Sequence, residues 1–310
     1  EMLRSLVGSE MCIRDSEYFT FKGYVTQPEI DRTLRAGDAD VVVVFAADFD
    51  RQMLAAAHGE PAQSAVQLIF DASNPNTASA GMGYLQQILL SDGQASAPMP
   101  EMRLLYNPQM KSAYNFVPGI MGLIFILICA IMTSVSIVRE KETGTMEVLL
   151  VSPVRPVWIV FAKMIPYFLL SCFNLVTILL LARYVLDVPM SGSLAGLVGL
   201  SLLYLVLALA LGLFISTISD KQSTALIISG MLMLLPIIML SGMAFPVENM
   251  PGILRGISCI IPARWYIEAV RKLMIEGLPF GAVLKEFSIL LVMTAALVVV
   301  ALKKFNDKLE

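Results

Sequence analysis

The sequence predicts an α-helical polytopic membrane protein with an N-terminal extracytoplasmic α/β domain. Three observations predict it. Of the 310 residues, 57% are apolar and only 15% charged, where a soluble domain carries roughly 45–50% and about 25%. The mean hydropathy is +0.74. The charge is also uneven: residues 1–112 hold 14 acidic and 8 basic side chains, and residues 113–310 hold 11 and 14. Finally, five stretches beyond residue 112 are apolar over lengths that suit a hydrocarbon core of about 30 Å. The net charge of −3 leaves no basic footprint for a nucleic-acid partner.

Taken in order, residues 1–16 (EMLRSLVGSEMCIRDS) continue none of the patterns downstream. They lack the apolar run of a signal peptide or a span, and the tract resembles stray translated sequence. It is expected to be non-native, with a native N-terminus missing. Residues 17–112 read as the α/β domain. Tyr18–Val25 alternates weakly and suits a strand. Pro28–Arg35 suits a helix, with proline in its first turn and Gly37 as a stop. Val41–Phe45 is a buried strand by its β-branched content. Asp48 is placed to cap a helix through Ala57. Val66–Phe70 is a strand, Asp71–Asn76 a turn cluster, Thr77–Leu90 a helix, and Met102–Tyr106 a last short strand.

The domain from 113 to 310 is expected to cross the membrane at about 116–138, 158–181, 194–218, 224–245 and 283–302, with Lys285 and Glu286 at the interface. Lysines and arginines in short loops set orientation. Eight lie on the side of 139–156, 219–223 and the C-terminal tail, against six on the other. That balance puts the first set in the cytoplasm and residues 17–112 outside it. Lys163 and Arg183 can snorkel to the two interfaces. Asn174 is the one strongly polar mid-span side chain apart from hydroxyls, and suits a helix–helix hydrogen bond.

No catalytic, cofactor or metal residues are predicted. The four cysteines (Cys12, Cys129, Cys172, Cys259) form no CxxC pair, and the one histidine, His58, sits in a polar loop. There is no GxxxxGK[ST], so no nucleotide-binding loop. No Asp or Glu lies in the middle of a span, where proton-coupled carriers need carboxylates. That suits an apolar or amphipathic substrate.

Two stretches carry the candidate sites. The first is Arg139–Pro156, REKETGTMEVLLVSPVRP. Arg139, Glu140, Lys141 and Glu142 would stand in the headgroup layer. Gly144 allows a bend. Met146, Leu149 and Leu150 recur at helical spacing, and Ser152–Pro153 stops the element. The residues alone fit either an interfacial anchor or a docking helix at 140–152. The second is Phe245–Pro279, broken by Pro246, Pro251 and Pro262. Arg264, Glu268, Arg271 and Lys272 share one face of a helix there, opposite Ile267, Val270, Leu273 and Met274. Glu268 and Lys272 form an i,i+4 pair. On its residues alone, this helix suits an amphipathic helix lying on the surface.

IVREKETGTMEVLLVSPVRP closely resembles the signature of ABC transporter permeases of the type-2 exporter class. The charged run, Gly144, Thr145, Met146, Glu147 and the Ser-Pro stop occur in order. YNPQMKSAYNFVPGIMG (106–122) and DASNPNTA (71–78) are similar to further segments of that family, in its multidrug or unknown-substrate branch. The resemblance covers roughly 17–310. It implies six spans in the native family, of which the five here match the second to sixth. It implies that 140–152 is a coupling helix seated in a separate ABC ATPase subunit, which would bind ATP and Mg. The coupling residues would be Arg139, Glu140, Lys141, Glu142, Gly144, Thr145, Met146, Glu147, Leu149, Leu150 and Pro153. The outer gate would be Arg264, Glu268, Arg271 and Lys272. A second permease copy or homologous permease, membrane lipid and a periplasmic adaptor are the further partners. A bacterial inner membrane is the expected location. The rival readings are an ion-driven carrier or channel, and a non-transporting membrane receptor or assembly protein.

Overall fold

The structure is a computed structural model describing residues 19–35, 39–49, 51–52, 55, 58, 66–91, 100–145, 156–245, 247 and 250–307. The tract 1–16, most of the segment 50–65 and residues 146–155 lie outside the described residues. Contacts divide the chain into two units, Glu1–Ser112 and Ala113–Glu310.

The first unit is built on a three-stranded sheet of order β1-β2-β3, with β1 Val41–Phe45, β2 Val66–Asp71 and β3 Glu101–Leu105. β1 pairs antiparallel with β2, Val43 opposite Leu68. β2 pairs parallel with β3, Ile69 opposite Arg103, and helix α2 (Pro75–Ser91) makes the crossover that a parallel pair requires. Side chains alternate across the sheet. Leu68 and Phe70 join Phe49 and Leu85 in one cluster. Val42 and Ile69 join Ile30 and Leu34 of helix α1 (Ile30–Arg35) in the other. Ahead of α2, Asp71 Oδ1 accepts from the Ser73 N–H at 2.8 Å, and Asn74 Oδ1 from the Asn76 N–H at 3.1 Å. These turns explain the polar cluster that ends the strand.

Two expectations for this unit need correction. Residues 19–25 form no strand. Among the described residues the sheet has three strands, and 19–25 are not one of them. The helix expected over 28–35 begins with a separate 3₁₀ turn, Gln27–Glu29, and is α-helical only from Ile30. Asp48 stands directly before the helical residue Phe49, its carbonyl accepting the Gln52 N–H at 3.0 Å and its carboxylate the Gln52 side-chain amide at 2.9 Å; most of the expected helix through Ala57 lies outside the described residues.

Among the described residues, the second unit contains five helices long and apolar enough to cross a membrane. Span one is Ala113–Glu142, span two Pro156–Tyr184 and span three Leu194–Ile218. Span four, Gln222–Leu240, is α-helical except for a π-helical stretch at Ile227–Leu232. Span five, Leu284–Asp307, is preceded by a 3₁₀ turn at Phe280–Val283. Before it come two short helices, Gly252–Ser258 and Pro262–Met274. Span one is central, packing on spans two, three and four and on helix 262–274. It meets span three closely at Gly212, where an added Cβ would stand 2.8 Å from Ala130 O. Small residues allow such approaches where water cannot drive association.

Candidate functional site

The charged run stands at the end of span one. Of the stretch 140–152, the structure describes 140–145: a turn at 143–144 separates span one from Thr145, which is again helical, and 146–152 lie outside the described residues. Residues 140–142 are the last turn of span one itself, which runs unbroken from Ala113 to Glu142. The stop follows at once. Gly144 adopts φ +74°, a left-handed conformation in which glycine carries no Cβ penalty. The Gly144 N–H reaches Lys141 O at 3.3 Å and the Thr143 N–H reaches Arg139 O at 3.0 Å. Hydroxyls take other end carbonyls: Thr143 Oγ1 donates to Arg139 O at 2.8 Å and Thr145 Oγ1 to Glu140 O at 3.3 Å. The apolar part of the candidate, Met146, Glu147, Leu149, Leu150 and Pro153, lies outside the described residues.

Arg139 is exposed. The next three residues each meet a different span. Glu140 pairs with Lys163 of span two, so Lys163 has a protein partner and does not simply snorkel. Lys141 Nζ donates to Ser216 O of span three. Glu142 Oε2 accepts from the backbone N–H of Gln222 at 3.2 Å and from its side-chain amide at 2.9 Å. Gln222 opens span four.

At the opposite end of the bundle, helix 262–274 buries its apolar face inside the protein. Tyr266, Ile267, Val270, Leu273 and Met274 are all buried. The surface-lying alternative is therefore corrected: the amphipathic pattern is real, but protein and not lipid covers the apolar side. Tyr266 stacks on Tyr204 of span three, centroids 4.0 Å apart. Its hydroxyl lies 2.9 Å from Ser201 Oγ, and Tyr204 Oη donates to Gly122 O of span one at 2.8 Å. Gly277, at φ +68°, ends the segment.

The four proposed gate residues do not form one cluster. Arg264 donates to Ser258 Oγ at 3.0 Å and lies over the Trp265 ring. Arg271 Nη2 donates to Asn115 Oδ1 of span one at 2.7 Å, while Asn115 Nδ2 donates to Met243 O at 3.1 Å. Lys272 alone is shared, bonding Glu268 at 3.1 Å and Glu286 of span five at 2.9 Å. Burial by itself would lower the Lys272 pKa. The carboxylates of Glu268 and Glu286 outweigh it and hold the ammonium above its ordinary value. Glu286, in the first turn of span five, is 1% exposed, its carboxylate covered by protein in this pairing. Asn115 and the Tyr204–Tyr266–Ser201 group were not singled out from sequence. A lone amide just inside an apolar run was the available signal for Asn115. Asn174 is half-buried on span two.

The pattern of the ABC-2 family transporter proteins matches residues 13–303. The chain is 34% identical over 259 residues to the probable multidrug ABC transporter permease YbhS of Escherichia coli (strain K12), covering 80% of this chain and 68% of that one. It is 31% identical over 289 residues to the probable multidrug ABC transporter permease YbhR of the same strain, covering 90% and 77%. It is 29% identical over 300 residues to the inner membrane transport permease YhhJ, covering 91% and 77%. No solved structure matches the chain.

Proposed function

This chain belongs to the ABC-2 family of transporter permeases, and from that premise we propose that it is the membrane subunit of an ATP-driven exporter. It moves an apolar or amphipathic substrate out of the cytoplasm. A separate ABC ATPase binds ATP and Mg, and docks on the segment that follows Gly144. The cytoplasmic side is the one that carries 139–156, and the domain at 17–112 is extracytoplasmic, in a bacterial inner membrane. The permease works as a pair. The most apolar stretches of spans two and four are only 17% and 18% buried within the chain, against 67% for span three, which leaves faces for a second copy and for lipid. A periplasmic adaptor is a further partner of the head.

The observation that carries the coupling reading is the end of span one. The helix is stopped by Gly144 directly after a charged run fastened to the neighbouring spans. A segment rooted there can pass a push into the bundle. The test is co-purification of an ABC ATPase encoded beside the chain. Truncating an apolar anchor at a well-packed contact costs on the order of 1–3 kcal/mol. Met146→Ala and Leu150→Ala should therefore weaken association roughly 5- to 150-fold. Lys141→Ala should do less, since half-exposed charges are worth about 0–1 kcal/mol. Retained association in both apolar variants, with normal insertion, would refute docking through this segment.

A further inference from the structure

We infer that Glu140, Lys141 and Glu142 are positioning residues that fasten the root of the coupling segment to spans two, three and four, rather than charges presented to the ATPase. The inference rests on the coupling role proposed above. Its basis is geometric. Successive residues of an α-helix point about 100° apart, so three in a row face three directions. Span one is central in its bundle, and each direction therefore meets a different neighbour.

The signs fit those neighbours. Ser216 O is one of the last four carbonyls of span three, which has no intrahelical partner and lies at the negative end of the helix. A cation belongs there, and Lys141 supplies it. The Gln222 N–H is one of the first donors of span four, at the positive end of that helix. An anion belongs there, and Glu142 supplies it. Spans three and four are joined by the short turn 219–221, so adjacent residues of opposite sign bridge that hairpin in the one order that suits both ends. Glu140 then takes the remaining cation, Lys163 of span two. A charge run serving only as a solvated collar has no reason to alternate in register with three neighbours. Movement of the segment beyond Gly144 is thereby delivered to three spans together.

The test uses the full chain with its ATPase and compares Glu140→Lys, Lys163→Glu, the Glu140→Lys/Lys163→Glu swap, and Glu142→Lys. Two quantities are read: affinity for the ATPase, and the rate of ATP hydrolysis by the complex. Affinity should stay within twofold of wild type in every variant. Hydrolysis should fall at least fivefold in the single variants and return to within twofold in the swap. Loss of ATPase affinity in Glu140→Lys that the swap does not recover would place these charges on the ATPase and overturn the inference. So would unchanged hydrolysis in all variants. If the wild-type chain binds no ATPase, the functional proposal fails by itself. Melting of the same variants in detergent then decides the fastening: a swap that melts near wild type supports it, and one that melts below both singles overturns it.

Discussion

Replacing Gly212 tests the close contact between spans one and three. A Cβ at 212 would stand 2.8 Å from Ala130 O, 2.9 Å from Ala130 Cα and 2.9 Å from Thr133 Cβ. Two of these are backbone atoms of span one, which cannot rotate away. Restoring ordinary contact requires spans one and three to part by roughly half an ångström, and such overpacking costs about 1–3 kcal/mol. Gly→Ala in a helix also gains about 1 kcal/mol from propensity, so the single variant alone is a blunt measure. Gly199 provides the correction. It lies in the same helix, and a Cβ there meets nothing within 4 Å. Gly199→Ala carries the propensity gain without the clash. The difference between the two variants should be about 1–3 kcal/mol, and at about 2–4 °C per kcal/mol Gly212→Ala should melt roughly 2–12 °C below Gly199→Ala in the same detergent. Gly212→Ala melting at or above Gly199→Ala would refute the close approach. Gly212 also lies one turn before Ser216, whose carbonyl receives Lys141. Parting the spans weakens that bond too, so Lys141→Met should cost less in the Gly212→Ala background than in wild type.

Two further outcomes follow from the opposite end of the bundle. Asn115→Ala removes the acceptor of Arg271 and the donor to Met243 O together. It should lower stability by about 1–3 kcal/mol, whereas Asn115→Asp keeps the acceptor for Arg271 and should lose less; equal melting of wild type and Asn115→Ala would contradict the assignment. Lys272 has a folded pKa raised above its ordinary value of 10.5, so its contribution is complete below that value and is lost as pH rises through the folded value. Melting followed from pH 9 upward should show an alkaline fall that Lys272→Met lacks. At neutral pH Lys272→Met should itself be costly, because it leaves Glu286 buried and unpaired, and Glu286→Leu in the same chain should recover part of the loss.

What was legible in the sequence was what is local. An uncharged run from Phe116 to Val138 reports a span wherever its neighbours are, and all five spans could be read this way. So could the strands at 41–45 and 66–70, whose β-branched runs are short and bounded. The element at 18–25 failed for the opposite reason. A strand is completed by a partner elsewhere in the chain, and alternation alone does not supply one. The helix at 262–274 shows a second kind of ambiguity. Its apolar face reads identically whether lipid or protein will cover it. Only the meeting of Tyr266 with Tyr204 and Ser201, with Tyr204 held in turn by the carbonyl of Gly122, decides for protein.

The charged residues carry this argument further. Arg264, Glu268, Arg271 and Lys272 share a helix face in sequence, and a shared face suggests a shared task. In the fold, Arg264 turns back to the preceding helix, Arg271 reaches span one and Lys272 reaches span five. Glu140, Lys141 and Glu142 likewise diverge to three spans. A charge near an apolar bundle is costly unless paired, and partners on the same helix are few, so each side chain is drawn to whichever neighbour offers a complementary group. Lys163, Gln222 and Glu286 lie at least 14 residues from the charges they meet. Spacing along the helix shows which charges share a face, while the pairing is set by how the spans pack. Both ends of the bundle are thereby tied to the central span by polar contacts, through Lys163, Ser216 and Gln222 at one end and Arg271 at the other.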